Sequence, residues 1–217
     1  MSRYRGPRLR IIRRLGLLPS FTLKRSKKRK TPGEHGKYLQ SDRKKKEGKQ
    51  PPQYLLRLQE KQKLRFNYGI TDSKLLRYIR QAQKAKGATG DILFQMLEMR
   101  LDNLVFRLGV APTVNSARQL VNHGHILVND KKVTIPSYHC KVKDSIRVAD
   151  KKQTRNKVET FLDNPNKGLK LKRNIVPKHL TFNRKELVGT VNSNIRPDEA
   201  RIQLNKRLIV EYYSRKI

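Results

Sequence analysis

The chain carries 52 Lys and Arg against 17 Asp and Glu, a formal charge of +35 over 217 residues, and no other property restricts its folding so strongly. Self-repulsion of that size opposes any compact state unless counterions or a polyanion neutralise it. Nucleic acid is the polyanion that such a balance points to. The apolar material available to oppose the repulsion is thin: 35% of residues are hydrophobic, 6% are aromatic and Trp is absent. A large apolar active-site cleft is therefore not expected, although the length suffices for one or two domains with real cores.

The charge is spread rather than confined to a tail. Residues 1–50 hold 18 basic side chains against 3 acidic, whereas residues 91–150 hold 8 against 6. Contact with the polyanion is expected to be extensive. The one cysteine, Cys140, has no partner for an internal disulfide, and no C-x-x-C pair exists for a structural zinc, which fits a reducing compartment. No apolar run approaches the roughly 18 residues of a membrane span. The basic N-terminus, Met1 to Arg10, lacks the Ser-rich stretch of a transit peptide and is expected to be mature protein.

Residues 1–50 form an expected extended basic arm, with charge runs at Lys24–Lys30 and Arg43–Lys46, a short helix from about Pro7 to Leu15, and little else ordered without a partner. From Pro51 the pattern turns helical: Tyr54, Leu55, Leu58 and Phe66 follow the three-to-four spacing as far as Gly69. A second helix is predicted from Asp72, with Leu75, Leu76, Ile79 and Ala82 inward, and a third from Gly90-Asp91, with Ile92, Leu93, Met96 and Leu97 inward. Residues 51–97 are thus the helical part of an N-terminal domain, which the C-terminal segment is expected to complete.

Residues 98–150 are expected to be a compact module. Arg100 to Leu108 is predicted helical, and Thr113 caps a second helix burying Val114, Ala117, Leu120 and Val121. Ile126-Leu127-Val128 is a strand, Asn129-Asp130 a tight turn, Val133 and Ile135 a return strand stopped by Pro136, and Ser145 to Val148 a further strand. Two helices on a small sheet leave Arg100, Asn115, Arg118, Gln119, Asn122, His123 and Lys131 for an outward polar face. Residues 151–217 are read as a polar connector with a short helical piece at Val158–Leu162, a turn-rich stretch from Asn164 to Lys178, and a last strand at Leu208-Ile209-Val210 with Tyr212. The fold class is α+β.

Catalytic chemistry has little to stand on. His139 and Cys140 are adjacent in an extended segment and project to opposite faces, so they cannot act as base and nucleophile. His123 and His125 lack a third ligand at metal spacing, and no Walker loop or dinucleotide fingerprint occurs. No cofactor and no metal are expected. Arg and Lys for phosphates, and Tyr, His and Arg planes for unpaired bases, suit RNA better than DNA, because the basic residues fall in short irregular segments and no long recognition helix appears.

The segment Leu97 to Gly109 (LEMRLDNLVFRLG), followed by Ser116 to Val121 and Ile126 to Asn129, resembles the RNA-binding module of the S4 family of small-subunit ribosomal proteins. Pro32 to Gly36, Glu60 to Arg65, Tyr68-Gly69, Lys86 to Gly90, the opening Tyr4 to Pro7 and the closing Ile209 to Ser214 resemble signatures of that family outside the module. Met1 to Pro7, Arg13 to Gly16, Val121 to Asn129 and Val210 to Arg215 are similar to its chloroplast branch.

The resemblance implies a structural, non-enzymatic constituent of the chloroplast small ribosomal subunit, in the stroma and plastid-encoded. It implies direct and early binding to small-subunit rRNA, contact with neighbouring proteins including the S5 protein, a place where mRNA enters, and an influence on translational accuracy. Candidate RNA-binding residues are Arg3, Tyr4, Arg5, Arg8, Arg13, Arg14, His35, Lys61, Lys63 and Arg65, together with the seven of the module's polar face. Two other classes share the module. An RNA-modifying enzyme needs a catalytic domain for which residues 151–217 are too short and basic, and a free-standing RNA chaperone needs no N-terminal arm with these signatures.

Overall fold

The structure, a computed structural model, describes residues 4–27, 31–33, 52–163, 176–195 and 204–214. It divides into two compact units, Met1–Ala85 with Leu204–Ile217, and Lys86–Gln203.

The first unit is helical. Helix α1 spans Arg8–Leu15, α2 Gln53–Tyr68, α3 Asp72–Lys84, and α8 Lys206–Ser214 near the end of the chain. Helix α8 packs along α2 and buries Ile209, Tyr212 and Tyr213. The strand expected at Leu208-Ile209-Val210 is therefore a helix: the run is β-branched, yet the apolar residues recur at the three-to-four spacing, and packing overrides propensity. Two contacts pin the pair, Arg57 Nε donating to Glu211 Oε2 at 2.9 Å and the Asn205 amide to Glu60 Oε2 at 3.0 Å.

The inward face of α2 also differs from the expected one. Lys61, Leu64, Asn67 and Tyr68 are buried, while Tyr54 and Leu55 are exposed. The N-terminal segment is not wholly extended within residues 4–27. Ile12, Leu18 and Phe21 are buried, and the rings of Tyr4, Phe21 and Phe66 meet tilted or edge-on with centroids 5.3 to 6.0 Å apart.

The second unit begins with α4 (Thr89–Glu98), α5 (Leu101–Arg107) and α6 (Val114–Asn122). Thr113 caps α6, its side chain accepting the Ser116 amide at 3.2 Å, which satisfies one of the orphan donors of the first turn. Strands β1 (Ile126–Val128), β2 (Lys131–Lys132), β3 (Ser145–Val148), β4 (Leu180–Asn183) and β5 (Val188–Val191) form an antiparallel sheet ordered β2-β1-β3-β5-β4, and α7 (Lys152–Asp163) lies between β3 and β4 in sequence.

Asn129 and Asp130 both have positive φ, 48° and 61°, as a two-residue turn of matching twist requires. The return strand stops at Lys132, and Ile135 is 58% exposed rather than inward. The chain leaves the ladder there because its carbonyls are used elsewhere: Pro136 and Tyr138 accept the amides of Asp102 and Leu101 and close the start of α5. Two of the five strands come from the segment read as a connector. Their close fit depends on Gly189, where a Cβ would lie 2.5 Å from the Leu108 side chain.

Candidate nucleic-acid interface

The module's polar residues divide into a buried network and an exposed face. Arg100, 2% exposed, donates from Nε and Nη2 to the two oxygens of Asp102 at 3.0 and 2.8 Å. Arg118, 9% exposed, donates from Nη2 to Asp102 Oδ2 at 2.6 Å. Glu98 holds Arg107 at 2.6 and 3.0 Å and accepts from Asn103 Nδ2 at 2.6 Å.

Arg100 and Arg118 are thus corrected from outward residues to buried ion-pair partners. The reason is readable on α6, whose buried stripe is Val114, Ala117, Arg118 and Val121, with Leu120 only half-buried. Arg118 stands four residues after Val114 and three before Val121, within the core stripe. A charge placed there must find a counter-charge, and Asp102 supplies it.

The exposed face is narrower than expected. Gln119, Asn122 and His123 are exposed and Asn115 is half-buried; Asn115, Gln119 and Asn122 follow one another at helical spacing on α6. Lys131 is exposed on the hairpin, yet its neighbour Lys132 is the one that reaches this face. A Cβ at Gly124 would lie 2.0 Å from Lys132 Cε, so the lysine stem crosses the Gly124 backbone between His123 and His125. Successive strand residues project to opposite faces, which puts Lys131 on the other side. Lys132 and His125 were not among the candidates; strand alternation from the turn was the signal for the first.

His125 sits 6.1 Å from the His123 ring, centroid to centroid, and its Nδ1 lies 3.1 Å from Thr154 Oγ1. Its pKa is lowered, first by burial and then by the positive charges of Lys151, His123, Lys157 and Lys132.

In the first unit, Arg5, Arg8 and Arg14 are exposed, with Arg8 5.6 Å over the Phe21 ring. Arg13 and Arg14 also reach the Thr31 and Pro32 carbonyls at 3.4 and 3.5 Å. Lys61 is corrected to a buried residue, 3.0 Å from Asp72 and over the Tyr212 ring. Lys63 and Arg65 carry partners too, Glu60 at 2.7 Å and Asp72 at 3.4 Å. Arg3 and His35 lie outside the described residues.

Helix α3 presents a basic row that the candidates omitted. Arg77, Arg80 and Lys84 are exposed opposite the buried Leu75, Ile79 and Ala82. The spacing of Leu75, Ile79 and Ala82 defines the inward face, and its complement follows from the same count. Among the described residues no cluster of His, Cys, Asp and Glu could hold a metal ion, and no helix is long and apolar enough to cross a membrane.

Residues 99–146 match the S4 domain family, and residues 3–98 match the ribosomal protein S4/S9 N-terminal domain family. The small ribosomal subunit protein uS4c of Oltmannsiellopsis viridis is 54% identical over 217 residues, 99% of this chain and 100% of the relative. The protein of that name in Rhodomonas salina is 53% identical over 100% of both chains. Small ribosomal subunit protein uS4 of Nostoc punctiforme is 53% identical over 99% of each.

Proposed function

The chain belongs to the ribosomal protein S4 family, whose members are structural and non-enzymatic, and from that premise we propose that it serves a plastid small ribosomal subunit by binding its rRNA. The observation that carries this reading is the end-to-end match to relatives named as plastid small-subunit proteins, 54% identical with no part of either chain left over beyond about one residue in a hundred. The geometry supports it. The exposed basic residues of α1 and α3, and the hairpin with the end of α6, offer charge for phosphates.

The finer reading is that the chain binds early in subunit assembly and contributes to translational accuracy. It lies where mRNA enters and beside the S5 protein, in the stroma, and is encoded in the plastid. Exposed arginines on short helices suit an early role, because phosphates crowded at a junction of RNA helices need neutralising before later proteins dock. RNA contacts are assigned to Tyr4, Arg5, Arg8, Arg13 and Arg14, to Asn115, Gln119, Asn122 and His123 on α6 and its end, to Lys131 on the opposite face of the hairpin, and to Arg3 and His35. Fractionating a stromal extract on a sucrose gradient is the test. The chain should sediment with the small subunit and with precursor particles that lack late proteins. Recovery only at the top of the gradient would overturn the reading, and recovery only in mature particles would overturn early binding.

A further inference from the structure

His125 lies where three elements meet, and each turns positive charge toward it. His123 comes from the end of α6, Lys132 from β2 across Gly124, Lys151 from the residue before α7 and Lys157 from within it. Thr154, also on α7, is buried and holds the His125 ring by the 3.1 Å contact to Nδ1. Asp150, the carboxylate beside Lys151 in sequence, is taken by Arg155 at 2.6 Å and by Arg147 at 3.5 Å. No acidic residue stands in the first turn of α7, where carboxylates are normally favoured. Five cationic or protonatable side chains therefore converge with their own carboxylate drawn off.

We propose that His123, His125, Lys132, Lys151 and Lys157 form a niche for one phosphate of the RNA backbone, and that docking the phosphate is coupled to protonation of His125. The inference rests on the RNA-binding reading and adds a site and a regulation to it. Without the phosphate, burial and the neighbouring lysines hold the His125 pKa below its ordinary value. A phosphodiester anion placed among them reverses the local field and favours the imidazolium. The proton comes from solvent, so affinity rises as pH falls through the histidine range. Such a niche makes this contact sensitive to the pH of its compartment, which an array of lysines and arginines alone is not.

The test uses the full chain, small-subunit rRNA as the probe, and binding at about pH 6 and about pH 8. The parent should bind about three- to tenfold more tightly at the lower pH, since one unit of pKa shift is a factor of ten. His125→Gln, which retains a polar partner for Thr154, should bind with little pH dependence. Lys151→Gln with Lys157→Gln, both exposed, should fold normally, bind more weakly and show a smaller pH effect.

Histidine ring resonances of the full chain should show the His125 midpoint moving up when rRNA is added. The same pH dependence in His125→Gln and in the lysine double variant as in the parent would overturn the niche while rRNA binding stands. An equal shift of His125 with inorganic phosphate alone would assign the niche to a free anion and overturn the RNA-backbone assignment. Absence of rRNA binding by the parent at both pH values would overturn the functional reading itself.

Discussion

Carboxylates are scarce in this chain, and two of them, Glu98 and Asp102, are fully buried. Each is held by arginine in a place where water cannot compensate, so the pairs matter for integrity more than for net gain. Asp102→Asn keeps the volume and removes the charge that Arg100 and Arg118 share. It should destabilise the free chain by about 3 to 5 kcal/mol in thermal or urea melts. Arg118→Ala should likewise read first as a loss of stability, whereas Lys132→Ala should weaken rRNA binding at an unchanged melting temperature. The opposite pattern would place Arg118 on the RNA.

Cys140 gives an independent check on the same core. Its thiol pKa is pushed up to about 12, first by burial and then by Asp144 and Asp102. A thiol reagent at neutral pH should leave the folded chain unlabelled and modify the urea-unfolded chain, as mass spectrometry would show. Rapid labelling of the folded chain would contradict the packing around Met99 and Leu101.

At the scale of elements, the sequence was most readable where a local rule acts alone. Thr113 caps α6 because its hydroxyl fits the free amide of Ser116, and Asn129-Asp130 turns because both residues tolerate positive φ. Neither depends on distant neighbours. Helix α8 was misread because Leu208-Ile209-Val210 looks like a strand until α2 is there to receive Ile209 and Tyr213. Strands β4 and β5 escaped notice because β5 joins the sheet by pairing with β3, far earlier in the sequence, and β4 is held in turn by β5.

The polar face suffered from the opposite error, an assumption that arginine points outward. The positions of Gln119, Asn122 and His123 were legible, as was the place of Arg118 in the stripe of Val114 and Val121, while the burial of Arg100 and Lys61 was not, since it is set by Asp102 and Asp72. The outward row of α3 supplies a test at this scale. Arg77→Ala, Arg80→Ala and Lys84→Ala together should leave stability within about 0.5 kcal/mol. They should lower the slope of log affinity against log salt by roughly 0.7 to 0.9 for each phosphate lost. An unchanged slope would mean that this face does not meet RNA.

For the whole molecule, pH and salt act on folding and on binding in opposite directions. His125 and His139 both have lowered pKa values in the folded chain, the second through burial alone. The unfolded chain, with histidines near 6.5, therefore binds protons first as pH falls. Stability of the free chain should be full above that value and decline below it. A phosphate at His125 would reverse the sign for the complex.

Salt divides the two processes in the same way. The charge of +35 repels itself in the free fold, and the few carboxylates that are buried do nothing to reduce the remaining excess. Added salt screens that repulsion over a length of about 10 Å at 0.1 M, so the melting temperature of the free chain should rise between about 50 and 300 mM KCl. Over the same range rRNA affinity should fall steeply, because each neutralised phosphate releases counterions into a solution that already holds more of them. A melting temperature that falls with salt would show that ion pairs such as Arg57 with Glu211 outweigh the excess charge. An affinity independent of salt would remove phosphate neutralisation as the basis of binding.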